Sequence, residues 1–382
     1  MAIVSLISSS VLIWMIKRSH SGLSTAYHRI LLGMCIADVI FSFGTSHFNF
    51  TAPSDNDYVV WNARGNQDTC SAQGFLQSVG ALSTVLYSCS NNLYCLAVVK
   101  YQTSDEFIRK IEPFLHGAPI MLSLVINITL LVKKHFNDRG GGVCYAPVYN
   151  PPHCIGYEDG EIREGFEIPC GRGDDETALL NDILFFVVIF VVPFVIGISL
   201  GMIYRYVLQS EKKMAAYGAG FEASDQQSIV TSSNEGGESS CWKERLPRLF
   251  SFFRRLTERF SLTSNEDRNL SRPVLHRALA FSVAYFLTWS FVITTTCFTI
   301  ADVEWPVSIW YLSNIFNPLQ GFFNLGIFMY PKVMVAKSRT GKNLSWRQAF
   351  AKAFWSKGID PASGRTGQSP NRAQQTPPVG EP

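Results

Sequence analysis

The sequence predicts an all-α fold, a bundle of seven membrane-spanning helices. Three observations predict it. Charged residues make up only 16% of the 382, against about 25% in ordinary soluble chains. Aromatic residues reach 13%, with 28 Phe. Mean hydropathy is nonetheless only +0.10, so the apolar residues must be gathered into blocks between polar loops. That is too little charge to solvate a large surface and too much apolar side chain for a disordered chain. The same figures argue against a nucleic-acid binder, a collagen-like fibre and a small disulfide scaffold. The net charge of +3 matters less than its distribution.

A hydrocarbon core about 30 Å thick takes about 20 apolar residues of helix. Six blocks reach that length and one is shorter: 1–16, 30–50, 73–99, 113–132, 178–208, 274–300 and 305–330. They do not alternate polar with apolar, so they read as helices rather than barrel strands. The first spans about 24 Å at 1.5 Å per residue. Its basic residues, Lys17 and Arg18, follow the apolar run, and no small-residue cleavage site comes after them. Both features favour a span, starting at or before Met1, over a signal peptide.

Lys and Arg set the orientation. The loops 17–29, 100–112 and 209–274 and the tail after Tyr330 hold three, three, ten and nine of them. The opposite side holds Arg64 and five in 133–178. The N-terminus is therefore expected outside and the C-terminus in the cytoplasm. Cysteine placement agrees, because Cys70, Cys144, Cys154 and Cys170 fall in the outer loops, where the milieu oxidises thiols. Four cysteines allow three pairings. The favoured one joins Cys70 to Cys144, tying the top of span three to the second outer loop, and leaves Cys154 with Cys170. Cys35, Cys89, Cys95 and Cys297 lie within spans, as small packing residues.

Polar residues inside the spans fall in stripes at helical spacing. Span two carries Asp38, Ser42, Thr45 and Asn49; span three Gln77, Thr84, Ser88 and Asn91; span seven Ser313, Asn317, Gln320 and Asn324. Such faces turn to the bundle interior, either as hydrogen-bonded glue or as working parts. Asp38 is the only acid in the middle of a span, and its charge needs a cation, a proton or polar neighbours such as Asn317. One buried acid is few for an ion-coupled carrier. A retinal-binding lysine is missing between Trp305 and Tyr330, with Lys332 past the end, so no cofactor is expected. Pro193 and Pro318 sit in mid-span and permit kinks. Gly197 and Gly201 form a small-xxx-small pair that allows close helix approach.

The outer loop 133–178 carries nine acids against five bases, which is solvation or a preference for a cationic ligand. The third inner loop, 209–273, divides in two. Ser210–Ser240 is rich in Ser, Gly and Ala and reads as disordered. In 242–260, Trp242, Leu246, Leu249, Phe253, Leu256 and Phe260 recur every three or four residues among six cations. That is a basic amphipathic helix suited to anionic inner-leaflet lipids. Leu344–Trp355 repeats the theme in the tail, 336–382, which reads as disordered after 357. The chain has no phosphate-cradling glycine loop, no metal cluster and no catalytic triad in its sequence pattern, so no enzyme is expected.

Seven spans, an outer N-terminus, a span-three cysteine and a long basic third inner loop together resemble a G-protein-coupled receptor over roughly 1–335. Four stretches carry a narrower resemblance: Tyr27-His-Arg-Ile-Leu-Leu-Gly-Met-Cys-Ile-Ala-Asp38, Thr69-Cys-Ser-Ala-Gln-Gly-Phe75, Lys110-Ile-Glu-Pro113 and Asn317-Pro-Leu-Gln-Gly-Phe-Phe-Asn324. These are similar to microalgal receptor-like proteins near the cyclic-AMP-receptor-like and secretin-like classes. The resemblance implies a plasma-membrane receptor for an extracellular ligand, coupled to a heterotrimeric G protein. It implies that Asp38 can hold an ion, that Cys70 anchors a disulfide, and that Trp289 and Asn317-Pro318 take part in a switch, with Asn91 and Asn324 beside them. Lys100, Tyr101, Arg205 and Arg277 are then candidates to meet the G protein. Span three ends in Val99-Lys100-Tyr101 where the family has acid–Arg–Tyr. The competing function class is a small-solute transporter or channel, which would call for internal repeats and more buried charge.

Overall fold

The helices start where the chain supplies a cap. After α1 (Ala2–Arg18), Thr25 accepts a hydrogen bond from the His28 amide and opens α2 (Ala26–Ser46). Asn66 and Thr69 cap one another's backbone amides at the head of α3 (Gln67–Val99). Ser104 caps α4 (Asp105–Val132), with Asp105 and Glu106 facing the partial positive charge of its first turn. The computed structural model describes residues 1–19, 21–54, 62–138, 144–145, 173–226, 271–301, 303, 306–340 and 344–356. Cys154, Cys170 and the 242–260 segment lie outside the described residues.

The remaining helices are α5 (Asp175–Gln226), α6 (Ser271–Ile300), α7 (Val307–Phe316), α8 (Gln320–Thr340) and α9 (Trp346–Trp355). Three-residue and four-residue 3-10 turns lie at Asn317–Leu319 and Phe48–Thr51. A two-residue hairpin pairs β1 (Asn137–Asp138) with β2 (Cys144–Tyr145). Span seven is thus α7 and α8 joined by a 3-10 turn, with Pro318 buried at the break.

Several boundaries differ from the sequence expectation. α2, α3 and α4 begin four to eight residues early, because capped polar turns extend each helix beyond its apolar block. α2 also stops at Ser46, so Asn49 leaves its stripe for the 3-10 turn. α5 continues to Gln226 into the stretch read as disordered; a helix already nucleated by an apolar span adds further turns at little cost. Gly197 and Gly201 do not mediate a close helix contact. A methyl group on either would meet open space, since small residues four apart do not specify which face they occupy.

α3 is the hub, packed against α2, α4, α5 and α6. Its approach to α2 is tightest at Gly80, where an added Cβ would strike the Phe41 backbone. At the other side of the bundle, Gly321 of α8 lies against Ser5 and Ser9 of α1, and its amide donates to Ser5 Oγ at 3.0 Å. Apolar clusters fill the rest. One joins Leu12, Ile16, Ile30, Leu31 and Met34 to Val333 and Ala336. Another joins Leu96 and Val99 to Ile203, Val207 and Leu275.

The outer surface is apolar as well. Phe114 is 76% exposed, Val132 73% and Phe194 69%. Side chains of this kind over whole helix faces belong against lipid. Among the described residues, five helices are long and apolar enough to cross a bilayer unaided. The two that fall short are α1, with 17 residues, and the divided seventh span. The chain is an all-α membrane protein.

Candidate functional site

The polar stripes of α2, α3 and α8 meet α6 in the interior and form a hydrogen-bonded circuit that begins and ends on α6 at two separate residues. Asp38 of α2 is buried, and both carboxylate oxygens accept. Thr84 of α3 donates to one at 3.0 Å and the Asn324 amide of α8 to the other at 2.7 Å. Gln320 donates to Asn324 Oδ1 at 3.3 Å, and Thr288 of α6 donates to Gln320 Oε1 at 2.6 Å. From Thr84 the path runs down α3: Ser88 donates to the Thr84 carbonyl and Asn92 to the Ser88 carbonyl, both at 2.9 Å. Ser282 of α6 then donates to Asn92 Oδ1 at 2.9 Å. The circuit therefore leaves α6 at Thr288 and returns to it at Ser282, six residues away and about 120° round that helix.

Helical periodicity explains the alignment. Gln320 and Asn324 lie one turn apart and Thr84, Ser88 and Asn92 on successive turns, whereas Ser282 and Thr288, six residues apart, look out of α6 about 120° from one another. Every circuit member sits in apolar surroundings, where a hydrogen bond is stronger and an unmade one costs about 1–3 kcal/mol.

The sequence-predicted residues divide into three groups. Asp38 and Asn324 belong to the circuit. Asn91, Trp289 and Asn317 stand beside it with unused capacity: the Asn91 amide N and O, Trp289 Nε1 and Asn317 Oδ1 are buried without a hydrogen-bond partner among the described residues. The Asp38 carboxylate takes Asn324 rather than Asn317: the two asparagines are seven residues, two turns, apart on span seven, and Asn324 is the one level with Asp38. Trp289 stacks on Tyr285 with ring centroids 6.3 Å apart, against Val85 of α3 and Ile196 of α5. Pro318 is buried at the break itself.

At the other end of α3, the four G-protein candidates do not form one cluster. Lys100 caps α3 and lies 3.4 Å from Met202 Sδ of α5, beside the exposed Tyr101 ring. Arg205 is exposed on α5. Arg277 of α6 points instead across the bundle to α2, its guanidinium 5.1 Å from the centre of the Tyr27 ring. Tyr27 in turn lies 6.5 Å from Tyr94 of α3.

Sequence reasoning missed a second ionic site at this end. Arg29 of α2 grips Glu112 of α4 with one edge of its guanidinium, Nε on one carboxylate oxygen and Nη2 on the other at 2.7 Å. Its remaining nitrogen donates to the Leu23 and Ser24 carbonyls. His116 approaches the same carboxylate at 3.7 Å and meets the Tyr87 hydroxyl at 3.2 Å. The available signal was that Arg29 and Glu112 both occur in the quoted receptor-like stretches.

At the opposite end, Cys70 of α3 and Cys144 of β2 are joined in a disulfide. Gln67 donates to the Phe136 carbonyl at 2.9 Å, and the Phe136 ring is buried against Gly74. His135, fully buried, accepts from the Asp174 amide at 3.3 Å through Nε2. Asp174 also receives Lys133 at 3.3 Å and caps Thr177 at 2.9 Å. Hydrogen bonds from Thr177, then Lys133, hold the Asp174 carboxyl down at about 2, while burial holds the His135 imidazole below its usual value despite Asp174.

No family model and no curated protein matches the chain. Among solved structures, it is similar to the crystal structure of squid rhodopsin. The TM-score is 0.54 at 13% identity, covering 93% of this chain and 88% of that one. At that identity the likeness is one of fold alone, a seven-helix bundle.

Proposed function

We propose that the protein is a G-protein-coupled receptor of the plasma membrane. An extracellular ligand biases the bundle between two arrangements, and α6 swings outward at its Lys100 end to admit a heterotrimeric G protein. The observation that carries this reading is the circuit that leaves and returns to α6. Any ligand that strains Asp38, Asn324 or Thr288 changes what holds α6 in place, and the break at Asn317–Pro318 gives span seven a pivot. Asn91, Trp289 and Asn317 offer spare polar groups with which a second arrangement can be satisfied, at no net loss of hydrogen bonds. The disulfide supports the orientation, because an oxidising compartment places the Cys70 end outside and the Lys100 end in the cytoplasm.

Arg277 on the Tyr27 ring is the restraint on α6 at the cytoplasmic end, in a chain whose span three ends Val99-Lys100-Tyr101. Lys100, Tyr101 and Arg205 then line the cleft that opens, and Arg277 joins them on release.

The test needs no ligand. Cells express the full chain with dissociation sensors for each class of trimeric G protein. Tyr27→Leu, which removes the Arg277 seat, is expected to raise basal dissociation of one class above the wild-type and mock levels. Silence of both chains against every class counts against coupling.

A further inference from the structure

Glu112 of α4 faces two basic side chains, one on another helix and one on its own. Arg29 of α2 holds it from across the gap, Nε on one carboxylate oxygen and Nη2 on the other at 2.7 Å. One turn further along α4, His116 Nε2 stands 3.7 Å from the oxygen that takes Arg29 Nε. That is too long for a hydrogen bond, and a small movement closes it. The other ring nitrogen of His116, Nδ1, lies 3.2 Å from the Tyr87 hydroxyl of α3. Tyr87 is buried, its ring seated so closely on Gly33 of α2 that an added Cβ there would strike it. His28 and His47, by contrast, bond backbone carbonyls of their own stretches, Gly22 and Phe43.

The chemistry of imidazole places the protons. A neutral ring that turned its lone pair to Glu112 would be repelled, so Nε2 carries the hydrogen and Nδ1 accepts from the Tyr87 hydroxyl. The site is then balanced, one guanidinium against one carboxylate, with the His116 side chain 27% exposed. A further proton enters at Nδ1. It makes the imidazolium a rival of Arg29 for Glu112, and it obliges Tyr87 to accept where it donated. Glu112 and His116 are four residues apart with the acid N-terminal, the favourable order for a pair along one helix. Pro113 removes a backbone hydrogen bond from this turn of α4, so the turn can give. The charges that reach His116 are those of Glu112 and Arg29. Among the described residues, Arg109 of α4 also acts on Glu112 and Tyr94 of α3 on Arg29. Side chains of these two types do not change charge between pH 5.5 and 7.5.

We propose that His116 is a proton-operated release for the α2–α4 tie. At neutral pH Arg29 holds Glu112 across the two helices. When the face that the proposed orientation puts in the cytoplasm turns acid, His116 takes a proton and Glu112 turns along its own helix to the imidazolium. The ends of α2 and α4 then separate. Arg29 keeps its bonds to the Leu23 and Ser24 carbonyls, so the start of α2 stays formed. The inference rests on this cluster and not on coupling to a G protein.

The experiment uses the purified full-length chain in neutral detergent, with Cys241 and Cys297 replaced by Ser. Leu23→Cys and Phe107→Cys, both at exposed positions, carry spin labels read by pulsed electron resonance. One short distance is expected at pH 7.5. At pH 5.5, still above the ordinary glutamate value of about 4.3, a longer population is expected to grow at least twofold. His116→Gln is expected to keep the short distance at both pH values, and His116→Lys, a standing cation at the same place, to show the longer population at both. His135→Gln, at the other end of the bundle, is expected to respond as the otherwise wild-type chain does. The same distribution at both pH values in the otherwise wild-type chain overturns the proposal, and so does lengthening that persists in His116→Gln. Where that variant does not fold, His116→Lys decides, and a short distance in it at both pH values is equally fatal.

Discussion

Asn324 of α8 donates a hydrogen bond to the Asp38 carboxylate of α2 at 2.7 Å, across 286 positions of sequence. Their bond links α2 to α8 in a polar circuit that runs on through α3 and α6. Replacing Asn324 by Leu leaves one carboxylate oxygen and the Gln320 amide without partners. The expected loss is about 1–3 kcal/mol, the cost of leaving buried hydrogen-bonding groups without partners. Thermal unfolding of the purified protein checks it. An unchanged Tm shows that the bond carries no stability.

The Arg29–Glu112 pair is half-shielded, with side-chain exposures of 30% and 13%. Its two-pronged geometry and lack of full solvent screening place its coupling above that of an ordinary surface pair. A double-mutant cycle with Arg29→Gln and Glu112→Gln is expected to give a coupling of about 1–2 kcal/mol. Additive effects show two independent side chains.

The glycines separate close packing from mere composition. Gly80→Val drives side-chain atoms into the Phe41 backbone, and is expected to cost about 1–3 kcal/mol or more, since backbone yields less than a side chain. Gly201→Ala faces open space and removes a helix-weakening glycine, so it is expected to be neutral or stabilising by up to about 1 kcal/mol. Expression level and Tm of the two variants read the contrast directly.

Acid is expected to loosen the disulfide end of the bundle. His135 stays neutral in the fold because burial lowers its proton affinity, with Asp174 opposing that effect and Lys133 adding to it. The unfolded chain takes up that proton near the ordinary value of about 6.5. Its stabilising contribution is thus complete above about 6.5 and falls as pH drops below that value towards the lowered folded value. Asp174, held at about 2 in the fold, adds a second loss only below the ordinary carboxylate range, as pH falls towards that value. Tm is therefore expected to decline between pH 7 and 5.5, with a shallower slope in His135→Gln. A rise in Tm on acidification, removed by the same substitution, contradicts the assignment of a neutral His135.

Much of this was legible in the chain. Asp38, Gln320 and Asn324 stand out as polar residues at helical steps within apolar blocks, and those steps bring them to one interior face. Pairings across long separations were not legible. Asn317 and Asn324 are seven residues apart and read alike on one helical face; which of them is level with Asp38 depends on how α2 and span seven are offset along the bundle, which no periodicity gives. Arg29 counted as a loop cation until the Thr25 cap carried α2 back past it, within reach of Glu112. Gly197 and Gly201 suggested a contact that their outward face denies. Helix ends depended on caps such as Asn66 and Ser104, whose effect on length an apolar window does not register.

The idea that α6 is held by the circuit and by Tyr27 is tested most directly by a distance. Spin labels are placed at position 109 of α4 and position 272 at the start of α6, with Cys241 and Cys297 replaced by Ser. Pulsed electron resonance then compares the otherwise wild-type chain with Tyr27→Leu and Asn324→Leu. One short distance in the former, joined by a longer population in both variants, is the expected result. A single unchanged distance in all three contradicts a bundle switched at α6.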